Sequence, residues 1–331
     1  MKKSILKKLN RQLYILVIIF CIAAILPIFF GNAPYMMHLL IFSLLWASLG
    51  TTWDLVFGYA GILSLGHLGF FTIGAYASAM LTVSLEVSPW LGIIFSGIVA
   101  GIVGLLLGIP CLRLKGAYIA LLTFAFHLVL PTLINRGEAI GTRGTKGIFE
   151  IPSLQIGNYT FNQLDKVPWF YVILIMTILI FFIVYKVINS SFGAAFVAIR
   201  DSEDFAKTLG INIYKTKLFI FGITAALAGI VGGIYAHYIG YIGSKILNFD
   251  TFLFIWVIMA IGGVGRFPGV LAGAFIITIT NELLRGFESY RLLILGALVI
   301  LSILFVPNGV IGGINSAIDK IVFKLKNNNA S

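Results

Sequence analysis

The 331 residues are 60% hydrophobic and only 11% charged, with a mean hydropathy of +1.04, a composition outside the range of soluble globular domains. The chain reads as a single all-α, polytopic integral membrane domain over 1–331. Its net charge of +11 does not mark a nucleic-acid binder, because the cations collect on alternate loops as they do around a lipid bilayer. The apolar runs are continuous rather than alternating, which excludes a β-barrel.

The chain starts with a basic segment, KKSILKKLNR (2–11), followed by an apolar run from Leu13 to Phe30. That run is too long for a signal-peptide core and no small-x-small cleavage site follows, so it is read as a retained first helix. Further runs at 34–53, 58–81, 91–110, 117–135, 168–188, 214–236 and 290–306 approach the roughly 20 residues that cross a hydrocarbon core. The stretch 250–285 is too long for one span, and GGVGRFPG (262–269) breaks it into two shorter helices. The total is about ten crossings, one pair formed by a broken span.

With the N-terminus inside, 16 cations face the cytoplasm: Lys2, Lys3, Lys7, Lys8, Arg11, Arg113, Lys115, Lys186, Arg200, Lys207, Lys215, Lys217, Arg266, Lys320, Lys324 and Lys326. Seven face outward: Arg136, Arg143, Lys146, Lys166, Lys245, Arg285 and Arg291. The bias predicts cytoplasmic termini, an outer loop at 136–167 and a cytoplasmic loop at 189–217. Cys21 and Cys111 fall in or at the end of spans and imply neither a disulfide nor a metal site.

The run 58–81 carries Gly58, Gly61, Gly66, Gly69 and Gly74 with Ser64 and His67. So many small residues suit backbone that is closely approached, either by a packed helix or as unwound chain lining a polar path. Gly58, Gly61, Ser64, Gly66, His67 and Gly69 are therefore candidates for a substrate path. For His67 itself the favoured reading is a buried, hydrogen-bonded neutral histidine. His38, His127 and His237 stand singly, and Asp54, Glu86 and Glu282 lie near span ends without relay spacing. Arg113 and Lys115 suit snorkelling anchors.

The cytoplasmic loop, SSFGAAFVAIRDSEDFAKTLGINIYKTK (190–217), is amphipathic. Phe192, Phe196, Ile199, Ala206 and Leu209 recur at helical spacing, while Arg200, Asp201, Asp204 and Lys207 point elsewhere. Two short helices are predicted at 192–200 and 203–210, with Asp201 and Asp204 as a capping pair and Gly210 as the stop. Such a surface suits a protein partner. A helix lying in lipid headgroups is the alternative, although lipid-binding helices are mostly basic and this one mixes charges. There is no G-x-x-x-x-G-K-[ST] phosphate loop, so an ATP-driven machine would need that motif on another chain.

Taken in order, GYAGILSLGHLGFFTIGAY (58–76), RLKGAYIALLTF (113–124), GTRGTKGI (141–148), the 190–217 loop, GGVGRFPGVLAGA (262–274) and PNGVIG (307–312) resemble the membrane-permease subunit of branched-chain amino acid ABC importers, of the LivM type. Asp204-Phe205-Ala206, Gly210 and Ile220 match the register of the permease loop EAA-x3-G-x9-I-x-L-P, although its closing Leu-Pro is missing. Arg143, Lys146 and Arg266 also depart from the family's usual residues.

The resemblance implies a second permease subunit, two ATP-binding subunits and an extracytoplasmic binding protein, in a cytoplasmic (inner) membrane. ATP and Mg would sit on the partners, with no cofactor, metal or catalytic group on this chain. Phe192, Phe196, Arg200, Asp204, Ala206, Leu209 and Gly210 would serve ATPase coupling. Related permeases carry urea or short amides, so the solute stays open. The rivals are a stand-alone ion-coupled carrier using His67 or Glu282, and a membrane-embedded enzyme, for which no catalytic pair converges.

Overall fold

The computed structural model describes residues 2–162, 164–305 and 309. Helix α1, Lys2–Phe30, carries Pro27 in its last turn and an apolar stretch over Leu16–Phe30. Pro34 opens α2, Pro34–Asp54, where its missing N–H is no loss. The helix then widens into a π-turn at Leu55–Tyr59, and residues 60–66 leave helical geometry altogether. The next helix, α3, starts only at His67 and runs to Ser84. The expectation of one span over 58–81 is thus corrected: its first part is unwound, because Gly61 adopts φ +65°, a left-handed conformation that ends a helix.

Two spanning helices follow, α4 at Pro89–Cys111 and α5 at Ala117–Arg136. The 136–167 loop contains two 3-10 turns and three short strands: β1 (Ile148–Phe149), β2 (Gln155–Ile156) and β3 (Tyr159–Thr160). Asp165 then caps α6, Lys166–Ile188, by accepting from Val167 N.

The next two helices are α7, Ser191–Asp201, and α8, Glu203–Thr208. Their caps are Ser190 and Ser202, which accept from Phe192 N and Phe205 N. The predicted Asp201–Asp204 capping pair is therefore replaced by serines, whose short hydroxyls reach the free N–H groups from extended backbone. Gly210 takes φ +77°, as a helix stop does.

Helix α9, Ile213–Ile239, ends at the left-handed Gly240, and β4 (Tyr241–Ile242) follows. β4 pairs antiparallel with β1, Ile148 opposite Ile242, which ties the 136–167 loop to the α9 exit. The broken run forms α10, Phe249–Gly262, and α11, Gly269–Leu283. Helix α12 is Arg291–Phe305. The sequence segment PNGVIG and the C-terminal cations lie outside the described residues, Gly309 excepted.

Among the described residues, five helical segments are long and apolar enough to cross a membrane: Pro34–Tyr59, Pro89–Cys111, Ala117–Ala139, Lys166–Ile188 and Ile213–Ile239. Shorter apolar helices, Leu16–Phe30 and Phe249–Gly262 among them, complete an all-α multi-pass membrane protein. Its centre is the α3–α4–α9 trio, drawn together by small residues as in other membrane bundles. A Cβ on Gly74 would collide with the backbone of Gly229, and one on Gly229 would strike Ser96 O and Ala100. The outer face of α4 leaves Ile94, Ile98, Ile102 and Leu106 exposed, as expected of a surface solvated by acyl chains.

The bundle has two distinct ends. One carries the strands and the start of α2, where Tyr35 OH donates to Glu282 and Arg285 lies 3.3 Å from the same carboxylate. The other carries α7, α8 and the break between α10 and α11.

Candidate translocation site

Where α2 unwinds, its last turns face the start of α3. Thr52 Oγ1 donates to Leu49 O at 2.8 Å and lies 2.9 Å from His67 Nε2. An Nε2–H tautomer would donate to this hydroxyl and an Nδ1–H tautomer would accept from it, so in either form the ring nitrogen left over is Nδ1. That Nδ1 is buried and has no partner. Trp53 stacks on the His67 ring, centroids 5.6 Å apart, and its Nε1 donates to Ser64 O at 2.7 Å. Ser64 Oγ is likewise buried and unpartnered.

Helix α5 closes this pocket from the other side. Leu65 N donates to Thr123 Oγ1 at 2.9 Å. Gly66 sits so near α5 that a Cβ would stand 2.9 Å from Thr123 O and 3.0 Å from the Phe126 ring. One turn beyond, His127 is 2% exposed and packs on Phe252 of α10, centroids 5.5 Å apart; its Nδ1 also lacks a partner. Phe252 meets Trp53 edge-on, and Trp256, 4.9 Å from the Phe57 ring, has an unpartnered Nε1.

Four buried polar atoms without partners thus gather where α2, α3 and α10 begin or end inside the bundle. In a hydrocarbon environment each is costly, and native structures leave such atoms bare mainly where water or a ligand supplies the bond. Of the candidate path residues, Ser64, Gly66 and His67 belong to this cluster. Gly69 packs on Leu130 and Phe126 just beyond it. Gly58 and Gly61 lie apart, towards the α7–α8 end. Sequence reasoning passed over His127, Trp53, Phe252 and Trp256; the Phe124–His127 pair three residues apart on one α5 face was the only local hint.

His67 and Glu282 do not form a relay. Thr52 and Tyr35, their respective contacts on α2, are 17 positions apart in the chain, about 25 Å along a helix. A separate cavity of about 650 Å³ is lined by Ile73, Tyr76, Met80 and Phe95 and reaches Gly141 and Thr142 at the strand end.

At the other end, Asp54 Oδ1, 3% exposed, accepts from Gly265 N at 2.7 Å, and Tyr59 OH accepts from Phe267 N at 2.9 Å. The coupling residues divide between this interior and the surface. Phe196 is 1% exposed and stacks with Phe219; Phe192 stacks on the same ring but stays 40% exposed, and Ala206 is fully buried. The expectation that Phe196 enters a partner is therefore corrected: its face is used up holding α7 to α9. Arg200 donates from Nη1 to Gly58 O at 3.2 Å, with its side chain still 40% exposed. Leu209 stays exposed, together with Phe205 and Tyr214, which the sequence reading missed. Asp204 is exposed, and the ammonium of Lys207, 3.1 Å away, holds its carboxyl below the usual range, with Lys115 adding to the effect. Lys217 Nζ lies 3.0 Å from Glu203 Oε2 and anchors α8 to α9.

A family model described as the permease component of the branched-chain amino acid transport system matches residues 35–303. The chain belongs to that family. LivM of the high-affinity branched-chain amino acid transport system of Escherichia coli K12 is 30% identical over 291 residues, covering 81% of this chain and 68% of the relative. A LivH from Methanocaldococcus jannaschii is 28% identical over 260 residues, 72% of this chain and 80% of its own length. LivH of Escherichia coli K12 is 26% identical over 81% of this chain and 91% of its own. No solved structure matches. Among the described residues no cluster of His, Cys, Asp or Glu could hold a metal ion.

Proposed function

We propose that this chain is the membrane-spanning permease subunit of an ATP-driven importer of branched-chain amino acids, working by alternating access. The supporting observation is the gathering of unpartnered Ser64 Oγ, His67 Nδ1, His127 Nδ1 and Trp256 Nε1 at helix breaks in a multi-pass membrane protein of this family. Ionisable groups inside a membrane bundle commonly mark solute pathways, and in transporters such pathways run past broken helices. The aromatic walls of Trp53, Phe252 and Trp256 suit an aliphatic side chain.

In this reading the chain performs no bond chemistry. ATP and Mg reside on two separate ATPase subunits, which dock through Phe205, Leu209 and Asp204; a second permease of the LivH kind completes the path, and an extracytoplasmic binding protein delivers the solute. The charge bias supports an orientation with both termini, α7 and α8 in the cytoplasm and the strand end outside an inner membrane.

The test is reconstitution of the chain with co-purified partners in proteoliposomes. Leucine, isoleucine and valine uptake should require internal ATP, and competition by urea or short amides should be weak. Uptake without any ATPase would replace this reading with an ion-coupled carrier.

A further inference from the structure

The α7 helix does more in this structure than present a face to the cytoplasm. Arg200 Nη1 donates to Gly58 O, its Nε and Nη2 lie 3.2 and 3.1 Å from Asp201 Oδ1, and its aliphatic stem lies against Gly61, where any Cβ would overlap it. Gly58 itself is pressed between Asp54 Oδ1 and Gly265 N, the two groups joined by the 2.7 Å hydrogen bond. Three interruptions of helical geometry therefore meet at one point: the π-turn and unwound segment after α2, the break between α10 and α11, and the end of α7. From Gly61 only five residues, 62–66, lead to His67, and both Ser64 and Leu65 on that stretch are hydrogen-bonded into the His67 cluster through Trp53 and Thr123.

We infer that Arg200 is the positioning residue that transmits displacement of α7 to the end of the π-turn and the unwound 60–66 segment and so to the solute cluster, while Asp54 makes the α10–α11 break move with it. The physical requirement is a stiff link across a backbone that past the π-turn keeps only isolated hydrogen bonds, such as Ile62 N to Val56 O and Ser64 N to Ile62 O. A charge-assisted bond from a guanidinium fixed by Asp201 to a peptide carbonyl supplies it. Gly58 and Gly61 are then required because the linking groups occupy the space of their side chains, and the conformational freedom of the segment lets it follow α7. Arg200 thus reaches the permease backbone through Nη1, although its side chain is 40% exposed. The inference rests on the ATP-driven reading of the chain.

The experiment uses the complete complex in proteoliposomes and reads ATPase retention, ATP hydrolysis and uptake per ATP hydrolysed for Arg200→Ala and Arg200→Lys. Expected is an Ala variant with normal ATPase retention and continuing hydrolysis whose uptake per ATP falls about tenfold or more, the scale of losing a hydrogen bond from a charged donor. Lys keeps the stem over Gly61 and a donor, and should restore part of the ratio. An unchanged ratio in Arg200→Ala overturns the inference, as does loss of the ATPases from that variant, which would assign Arg200 to the partner surface. If Arg200→Ala does not accumulate in membranes, the same ratio is read from Arg200→Gln, with the same two outcomes deciding. Absence of any ATPase from the wild-type complex would refute the importer reading itself and is thereby distinguished.

Discussion

Removing Glu203 isolates a cation that the fold has already taken out of water. The Lys217 side chain is 6% exposed and that of Glu203 30%, with Nζ and Oε2 3.0 Å apart. Glu203→Ala leaves the ammonium buried without its counter-charge, and breaking such a pair costs about 3 kcal/mol or somewhat more. Lys217→Met leaves behind a carboxylate that water already reaches, so it should cost clearly less. Helix α8 has only six residues and cannot hold itself in water, so the loss falls on its docking against α9. A 3 kcal/mol penalty shifts a docking equilibrium by about a hundredfold. The assay is ATPase co-purification with the detergent-solubilised permease, alongside its thermal unfolding. Glu203→Ala should lose both ATPase and thermal stability, Lys217→Met should lose less, and the double variant Glu203→Leu/Lys217→Met should recover much of the deficit. Equal effects of the two single variants, or no recovery in the double, would refute the argument that desolvation of Lys217 governs the pair.

Phe196→Ala should act as a core truncation, lowering stability by about 3–5 kcal/mol in a melting experiment. Phe205→Ala and Leu209→Ala should leave melting unchanged and weaken ATPase retention, by about 2 kcal/mol if either is an anchor; the opposite pattern would return Phe196 to the partner surface. Gly66→Leu should abolish uptake, since even its Cβ meets Thr123 O and Phe126; normal folding with normal uptake would place the path elsewhere. A cysteine at Ser202 should react with impermeant reagents only after the cytoplasmic side is opened, and one at Asn158 from outside intact cells; external labelling of Ser202 would invert the topology.

Composition and apolar run length settled the all-α, multi-pass character of this chain, because a bilayer admits few other ways to satisfy a backbone. The glycine and proline cluster at 262–269 located the α10–α11 break, and Gly210 the end of the α7–α8 loop, since these residues act through local backbone geometry. What local pattern could not carry was direction. The spacing of Phe192, Phe196 and Leu209 described an amphipathic face but not that Phe219 of α9 stacks against the first two and that only Phe196 is buried there, while Phe192, Leu209 and Phe205 stay exposed. Likewise the 58–81 run looked like one span, because hydropathy does not register that Gly61 is left-handed or that a tryptophan eleven residues earlier bonds Ser64 O. Single histidines stayed single in the sequence; His67 and His127 share a site only because α5 and α10 fold against the break. Long-range contacts of that kind, among them Asp54 with Gly265 and Arg200 with Gly58, join residues more than a hundred positions apart, and tertiary packing alone brings them together.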